Sequence, residues 1–297
     1  MRTTKCFAAA MAALVLVACS DDDGDGMSTK AVTVTFEPTV AGQAPACNGQ
    51  YLASVGDPVV DYQLVEYRWY ASDFHLRTAS GDATPILLDD RGDGLQYQGE
   101  THNVSLLGFV SGCDTGDAEP ASNFTVTGTV PEDDYTELCF TLGVPFDLNH
   151  SDPTAGDTPS PLNLPAMNWN WKGGRKFVRF DGFGDPSGVN NRFNLHLGST
   201  GCDSASATEP PSEPCGAPNT PTYCFALGAS AQYTPTVSVD PARVLDEVDI
   251  RTNTEGTAAG CMSFIDDPEC ETIMPKYGLS YSLNGSTVPA GTPSLFQ

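Results

Sequence analysis

Short segments in which apolar and polar residues alternate, each bounded by glycine, proline, aspartate or asparagine, are the feature that most limits what this chain can fold into. An alternation with a period of two is typical of a strand that buries one face. The strand-like segments lie at residues 32–36, 62–76, 124–127, 138–142 and 177–180. Helices of more than two turns are not supported, because 29 glycines and 23 prolines divide the chain into short stretches. The pattern predicts an all-β fold, an antiparallel β-sandwich.

The first residues are typical of an export signal. Arg2 and Lys5 precede a short apolar stretch, residues 7–17, which is too short to cross a bilayer as a helix. The stretch ends in the residues Leu-Val-Ala-Cys, which resemble a bacterial lipobox. We therefore predict a lipoprotein signal peptide over residues 1–18 and a lipid anchor on Cys19. The alternative is an ordinary signal peptide with an incidental cysteine.

An acidic, glycine-containing stretch follows the predicted anchor. Residues 19–27 are typical of a flexible, solvated tether, and residues 28–297 are predicted to form one β-sandwich domain. Ser20 follows the anchor cysteine, and in enteric bacteria a residue other than aspartate there favours the outer membrane. The predicted location is therefore the cell envelope, as a periplasm-facing or surface lipoprotein of the outer membrane.

The charge of the chain limits its partners. Asp and Glu number 38 against 14 Lys and Arg, which gives a formal net charge of −24. A surface this negative repels phosphate backbones, so nucleic acid is excluded as a partner, and adhesion to anionic lipid is disfavoured. Since 40% of the residues are hydrophobic, the chain has enough apolar side chains for a folded core.

The cysteine count predicts disulfides. An even number in an exported domain is typical of a disulfide framework, here of four bonds with long loops pinned between them. No C-x-x-C spacing occurs, which disfavours the alternative of thiol-bound zinc. Residues 261 and 270 form the best single pair, residues 203–221 are predicted to be a disulfide-pinned loop, and residues 244–250 fit either a strand or a short helix. Apart from Cys6 and Cys19 of the predicted leader and anchor, the eight remaining cysteines are Cys47, Cys113, Cys139, Cys202, Cys215, Cys224, Cys261 and Cys270.

Two of the four histidines lie in unusual surroundings. His150 falls in a predicted loop, and His196 lies on a predicted strand among apolar residues. Met167, Trp169 and Trp171 alternate along another predicted strand, so they share one face. Taken alone, these residues are more typical of structural histidines and core packing than of a metal site.

Longer motifs give these residues a context. Residues 143–153 read GVPFDLNHSDP, residues 167–177 read MNWNWKGGRKF, residues 193–202 read FNLHLGSTGC, and residues 261–270 read CMSFIDDPEC. In this order they resemble the MbnP-like family, also called metallo-mystery-pair four-Cys proteins. The resemblance implies an exported, β-rich copper-binding protein rather than an enzyme. It also implies a partner, a di-haem peroxidase-like enzyme of the MauG type (MbnH), that oxidises a tryptophan to kynurenine.

Carried over by position, the resemblance implies a copper(I) site formed by His150, His196 and a kynurenine. The modified residue would be Trp171 or, alternatively, Trp169, since both are expected on the same face. An indole nitrogen is a poor metal donor, whereas ring opening frees an arylamine and a carbonyl. Neutral imidazoles suit copper. Met167 could add a soft ligand but is expected to pack.

The remaining histidines and the functional alternatives follow from the residues alone. His75 and His102 match no motif and are expected to be surface or structural residues.

Two other functions are compatible with the residues. A glycan-binding or adhesive β-sandwich, with Trp69 and the two later tryptophans as a stacking platform, is the second interpretation, and a hydrolase with paired carboxylates is the third. Residues 89–94 are oxygen-rich but lack a complete calcium-loop pattern, so a solvated turn is expected.

Overall fold

A computed structural model describes residues 28–47, 49–113, 122–170, 172–185 and 192–297. The predicted signal peptide, Cys19, the tether and Trp171 lie outside the described residues. Within these ranges, every helix is too short or too polar to cross a membrane.

Sixteen strands make up most of the regular structure of the described residues. They form one large sheet, one sheet of four strands and one two-stranded ribbon. The strands are β1 (Thr29–Pro38), β2 (Gln50–Val55), β3 (Val60–Thr78), β4 (Ala83–Pro85), β5 (Leu87–Leu88), β6 (Gln96–Gln98), β7 (Asn103–Val110), β8 (Thr125–Pro131), β9 (Tyr135–Leu142), β10 (Lys176–Gly184), β11 (Arg192–Gly198), β12 (Thr222–Ala226), β13 (Thr236–Val239), β14 (Gly260–Cys261), β15 (Tyr281–Leu283) and β16 (Ser286–Val288).

The long strand β3 is the centre of the large sheet. It pairs with β2, β4, β7, β9 and β10, and the main path of that sheet runs β12-β9-β3-β10-β11-β14. The smaller sheet runs β13-β1-β8-β5. The pairs β1–β13 and β11–β14 are parallel, whereas the other strand pairs are antiparallel. The five alternating segments predicted as strands fall on β1, β3, β8, β9 and β10, except that β8 begins one residue later than predicted, and the strand predicted for His196 is β11.

The hydrophobic core lies between the two sheets. Phe36 on β1 packs edge-on against Trp69 on β3, with ring centroids 5.0 Å apart, and against Phe140 on β9 at 5.6 Å. Strand β1 buries alternate residues, which explains the period of two in its sequence. The all-β sandwich predicted from this alternation is confirmed.

The opposite face of the large sheet is polar where β3, β10 and β11 lie side by side. Glu66 and Arg68 alternate along β3 with the core residues Tyr67 and Trp69, so they point away from the core. The partner positions on β10 are Asp181 beside Glu66 and Arg179 beside Arg68, and Arg179 pairs in turn with His196 on β11. The sheet register therefore places a buried charge cluster on this outer face.

All eight cysteines of residues 28–297 form disulfides, as the even count predicted. The pair Cys261–Cys270 predicted from its spacing is present, and Cys202–Cys215 pins the excursion over residues 203–221. The other two bonds join distant segments. They are Cys47–Cys113 and Cys139–Cys224.

Two local predictions were wrong. Residues 244–250 form neither a strand nor a helix, because a 3-10 turn at Pro241–Arg243 is followed by further turns. In the described chain, Met167 and Trp169 do not lie on the strand predicted for them, because proline opens a 3-10 turn at Pro165–Met167. The α-helices are confirmed as short, with α1 at Phe146–Asn149 and α2 at Ile273–Lys276 in the described chain.

Candidate metal site

His196 and Asp181 form the centre of the polar face on adjacent strands. The Nε2 atom of His196 lies 2.7 Å from Oδ1 of Asp181. The other carboxylate oxygen of Asp181 accepts a hydrogen bond of 2.9 Å from Nε of Arg179. His196 is 7% exposed and Asp181 is 1% exposed, so the pair is shielded from water.

The electrostatics of this pair set its protonation. Burial by itself would raise the pKa of Asp181, but the hydrogen bond from His196 and the charge of Arg179 outweigh burial and lower that pKa to about 2. Burial lowers the pKa of His196 more than the attraction of Asp181 raises it. At neutral pH the pair is therefore an ionised carboxylate beside a neutral imidazole.

The second ring nitrogen of His196, Nδ1, receives no hydrogen bond from the described residues. An ionised carboxylate accepts hydrogen bonds only, so Nε2 carries the proton and Nδ1 is an acceptor. Nδ1 is buried and, among the described residues, has no hydrogen-bond partner. A buried unsatisfied acceptor is costly and rare in folded proteins. Its presence marks a position where the chain can offer a nitrogen ligand.

A larger charge cluster surrounds the pair. Arg68 forms an ion pair with Glu66, and Nη1 of Arg179 lies 3.7 Å from Oε2 of Glu66. Arg192 approaches Asp181 at 3.9 Å. Glu66 also accepts a hydrogen bond from the backbone N–H of Gly112 at 3.2 Å. Each buried carboxyl group therefore has cationic neighbours, although at Glu66 burial outweighs the charges of Arg68 and Arg179 and raises the pKa.

Trp169 covers the end of this cluster. Its ring centroid lies 6.5 Å from that of His196, and its side chain is half-buried. The indole rests on Gly198 of β11, where a Cβ atom would lie 2.5 Å from its Cζ3. The backbone N–H of Trp169 donates to the carbonyl of Gly174 at 3.0 Å. Glycine at position 198 is thus what allows the indole to lie next to His196.

A disulfide-closed loop lies on the other side of Trp169. Phe264, which is 50% exposed, stacks on the indole with ring centroids 5.6 Å apart. The preceding residue, Ser263, donates its hydroxyl to the backbone carbonyl of His196 at 2.7 Å. The Cys261–Cys270 bond closes this loop. The loop therefore holds an aromatic cover over Trp169 and is itself tied to the strand that carries His196.

His150 follows helix α1 and is also buried, but its ring is differently placed. Oδ1 of Asn149 accepts from the backbone N–H of Arg175 at 2.8 Å, so the Nδ2 group of Asn149 donates to Nε2 of His150 at 3.2 Å. The same amide lies 3.3 Å from Oγ of Ser199, just past β11. Asn149 therefore connects the His150 loop to the His196 strand. Unlike Nδ1 of His196, Nε2 of His150 already accepts a hydrogen bond.

Arg175 holds the His150 loop in place. Its fully buried guanidinium donates to the backbone carbonyls of Leu148, Ser151 and Leu162 at 2.8–3.0 Å. Gly174 precedes it with a φ of +71°, and a Cβ atom there would lie 2.6 Å from Oδ1 of Asn149. Glycine is required by both the backbone conformation and the packing.

Sequence reasoning missed Asp181, Asn149 and Arg175. Their positions in the sequence are close to predicted features: Arg175 directly precedes β10, Asp181 lies within β10, and Asn149 directly precedes His150. Carboxylates and amides are abundant in this chain, however, and only the strand register shows which of them meet a histidine.

Two groups of potential ligands in the described residues are not metal sites in this form. Nε2 of His150 lies 3.6 Å from Sγ of Cys215, and Cys202 completes a tight group. Both sulfurs belong to one disulfide, so neither is a thiolate. The group of Glu137, Cys139 and Cys224 fails for the same reason.

The other sequence candidates lie elsewhere. Met167 is fully buried in the core, as expected. His75 and His102 both hydrogen-bond to Asp73, through its carbonyl and its carboxylate respectively, away from Trp169. Trp69 is 1% exposed, so it cannot belong to the sugar-stacking platform of the glycan-binding alternative. Residues 89–94 are irregular and then form bends from residue 92, and Arg91 pairs with Asp93.

Fold and site together define a disulfide-rich β-sandwich with a buried histidine–carboxylate pair beside a half-buried tryptophan. A family model described as MbnP matches residues 29–263, so the chain belongs to the MbnP family. The solved structure of MbnP from Methylosinus trichosporium is similar to this chain, with 29% identity, a TM-score of 0.74, and coverage of 91% of this chain and 98% of that one. No curated protein sequence matches. The predicted family resemblance is confirmed.

Proposed function

We propose that this protein binds copper(I) through His196, with His150 and a kynurenine made from Trp169 or Trp171, and serves in copper carriage, storage or homeostasis. In this proposal the protein is a metal carrier and the substrate of a di-haem, MauG-type partner rather than an enzyme. Membership of the MbnP family fits copper in general and a methanobactin-pathway partner.

The observation that carries the proposal is the unpartnered, buried Nδ1 atom of His196 beside a half-buried tryptophan. A neutral imidazole nitrogen suits copper, and the shielded surroundings of His196 limit access of water and oxidant. His150 is the second candidate ligand. To bind copper through Nε2, His150 would have to give up the hydrogen bond from Asn149.

The tryptophan supplies a donor only after oxidation. Two oxygen atoms, one from each of two peroxide molecules reduced to water, would cleave the C2–C3 bond of the indole to give N-formylkynurenine. Hydrolysis would then release C2 as formate and free the arylamine. The geometry of the described residues supports Trp169 as the modified residue, because its ring lies next to His196. The experiment below tests whether Trp171 is modified instead.

The modification is tested by producing the protein with and without its di-haem partner and peroxide. We expect a gain of about 4 Da on the tryptic peptide that covers residues 163–172, and only when both are present. Trp169→Phe and Trp171→Phe identify the site, and Trp69→Phe is the buried control. Unmodified tryptophan at both positions together with full copper binding would reduce the site to histidines.

Copper binding is tested by titration of the modified protein with copper(I) against a competing chelator. We expect about one copper(I) per chain, and we expect His196→Ala to weaken binding at least about tenfold, since it removes a direct nitrogen ligand. His75→Ala is the matched control, a histidine on β3 that is bonded to Asp73. Wild-type affinity in both His150→Ala and His196→Ala would contradict the proposed site.

We further propose that the protein is a lipoprotein of the cell envelope, anchored through Cys19. Detergent partitioning tests this anchor. Wild-type protein is expected in the detergent phase and Cys19→Ala in the aqueous phase. Equal partitioning of the two forms would contradict the anchor.

A further inference from the structure

We propose that Asp181 is a positioning residue that fixes the tautomer of His196 and thereby directs the Nδ1 lone pair toward the metal. This inference rests on the proposed function for the metal, but its tautomer part concerns the protein alone. The tautomer follows from what each oxygen of Asp181 accepts.

The two carboxylate oxygens of Asp181 have separate donors. Oδ1 lies 2.7 Å from Nε2 of His196, and Oδ2 lies 2.9 Å from Nε of Arg179. A guanidinium can only donate hydrogen bonds, so the atom of residue 181 that lies next to Arg179 must be an oxygen acceptor. A carboxylate presents an oxygen to both neighbours. His196 consequently keeps its proton on Nε2.

This arrangement makes Nδ1 of His196 the only nitrogen of that ring with a free lone pair. The atom is buried and has no hydrogen-bond partner in the described part of the chain. Ligating histidines commonly donate their other ring N–H to a carboxylate, which fixes both tautomer and ring orientation. The Asp181–His196 pair has this geometry.

Replacing Asp181 by asparagine should reverse the tautomer without removing the hydrogen bond. Arg179 still requires an acceptor, so the new amide oxygen should turn toward Arg179 and the amide N–H toward Nε2 of His196. Nε2 then accepts a hydrogen bond, and the single ring proton moves to Nδ1 by exchange with solvent. The ring stays neutral, but its lone pair points at the introduced amide rather than at the metal.

The tautomer is read directly from the ¹⁵N shifts of the His196 ring in metal-free protein. We expect the Nε2–H form in the wild type and the Nδ1–H form in Asp181→Asn. The wild-type measurement needs no variant, so it remains decisive if Asp181→Asn fails to fold. An Nδ1–H wild type, or a variant that keeps the Nε2–H form, would overturn the inference.

Glu66→Gln is the matched control, since it makes the same acid-to-amide change at a buried residue of the same cluster, one that pairs with Arg68 and Arg179. It should leave the His196 tautomer unchanged. In copper(I) titration, Asp181→Asn should weaken affinity about tenfold to a hundredfold relative to this control. A reversed tautomer with unchanged affinity would confirm the tautomer part and would instead contradict His196 as the ligand of the proposed function.

Discussion

At the scale of single residues, the outer face of β3, β10 and β11 carries charges where an ordinary sheet would carry solvated or apolar side chains. Glu66, Arg68 and Asp181 are at most 2% exposed. Buried ion pairs often contribute less to stability than well-packed apolar residues would. Stability alone therefore does not explain this cluster, and Asp181 is the member that hydrogen-bonds to His196.

Gly198 is the residue whose substitution should disturb this site most directly. A Cβ atom at that position would lie 2.5 Å from Trp169 and 2.9 Å from the carbonyl of Arg175. We expect Gly198→Ala to destabilise the protein by about 1–3 kcal/mol and to displace the indole. Thermal unfolding and tryptophan fluorescence measure both effects.

Gly216→Ala is the control for this prediction. It adds the same methyl group in a nearby loop where the nearest atom would be 3.4 Å away. Equal loss of stability in the two variants would show that the close approach of Trp169 is unimportant.

At the scale of elements, β10 holds the tryptophan-bearing segment by two cations. Nζ of Lys176 donates to the carbonyl of Ala166 at 3.2 Å, and Nη1 of Arg179 lies 3.4 Å from the same oxygen. The 3-10 turn at Pro165–Met167 therefore docks on β10 through its backbone. This contact places the charged ammonium group of Lys176 in poorly hydrated surroundings, which destabilises its charged form.

The burial of the Lys176 ammonium group predicts that the stability of the protein depends on pH. Burial, assisted by the charge of Arg179, lowers the pKa of Lys176 to about 8 from its ordinary value of 10.5. Between these values the unfolded chain binds the proton and the folded chain does not, so the free energy of unfolding should rise as pH increases from about 8 to about 10. We expect a gain of about 2 kcal/mol, below the full value of the shift because the side chain is partly hydrated.

Urea unfolding at pH 7.5 and 9.5 measures this gain, and Lys176→Met should abolish most of it. Lys30→Met is the control, because the hydrogen bond to Glu132 raises the pKa of that exposed lysine and leaves it charged over the same interval. A pH dependence that persists in Lys176→Met would assign it to another group.

At the scale of the whole molecule, the four disulfides connect segments that the sheets alone leave apart. Two of them span long separations, 66 residues for Cys47–Cys113 and 85 for Cys139–Cys224. The other two close local loops of 13 and 9 residues next to the candidate site. The framework therefore constrains both the unfolded chain and the loops around His150 and Trp169.

Loop length predicts which bond matters more for stability. In the chain-entropy description, closing the Cys47–Cys113 loop stabilises more than closing the Cys261–Cys270 loop, by about 2 kcal/mol. Denaturant unfolding of the two double-serine variants measures this difference. A larger loss on removing Cys261–Cys270 would show that native contacts of the Phe264 loop outweigh loop entropy.

Thiol labelling tests the framework as a whole. No cysteine of the β-sandwich should react with an alkylating reagent under denaturing, non-reducing conditions, since all eight are paired. Reduction before labelling provides the control and should expose all of them. Two or more labelled cysteines without reduction would contradict the four-disulfide arrangement.

The amino-acid sequence by itself determined the β class, the positions of β1, β3, β8, β9, β10 and β11, and the Cys261–Cys270 bond. These features depend on local patterns: side chains alternate along a half-buried strand, and a short cysteine spacing favours a local loop. The sequence motifs also identified the family. Predictions failed where proline and turn geometry interrupt an apparent alternation, at Met167–Trp169 and at residues 244–250.

Only the tertiary structure decided which residues meet at the candidate site. Asp181 and His196 are 15 residues apart, and they meet because β10 and β11 pair in one register. A shift of one residue would turn each side chain to the other face of the sheet. Likewise, Phe264 reaches Trp169 through a disulfide-closed loop after β14, a contact between segments that no local pattern encodes.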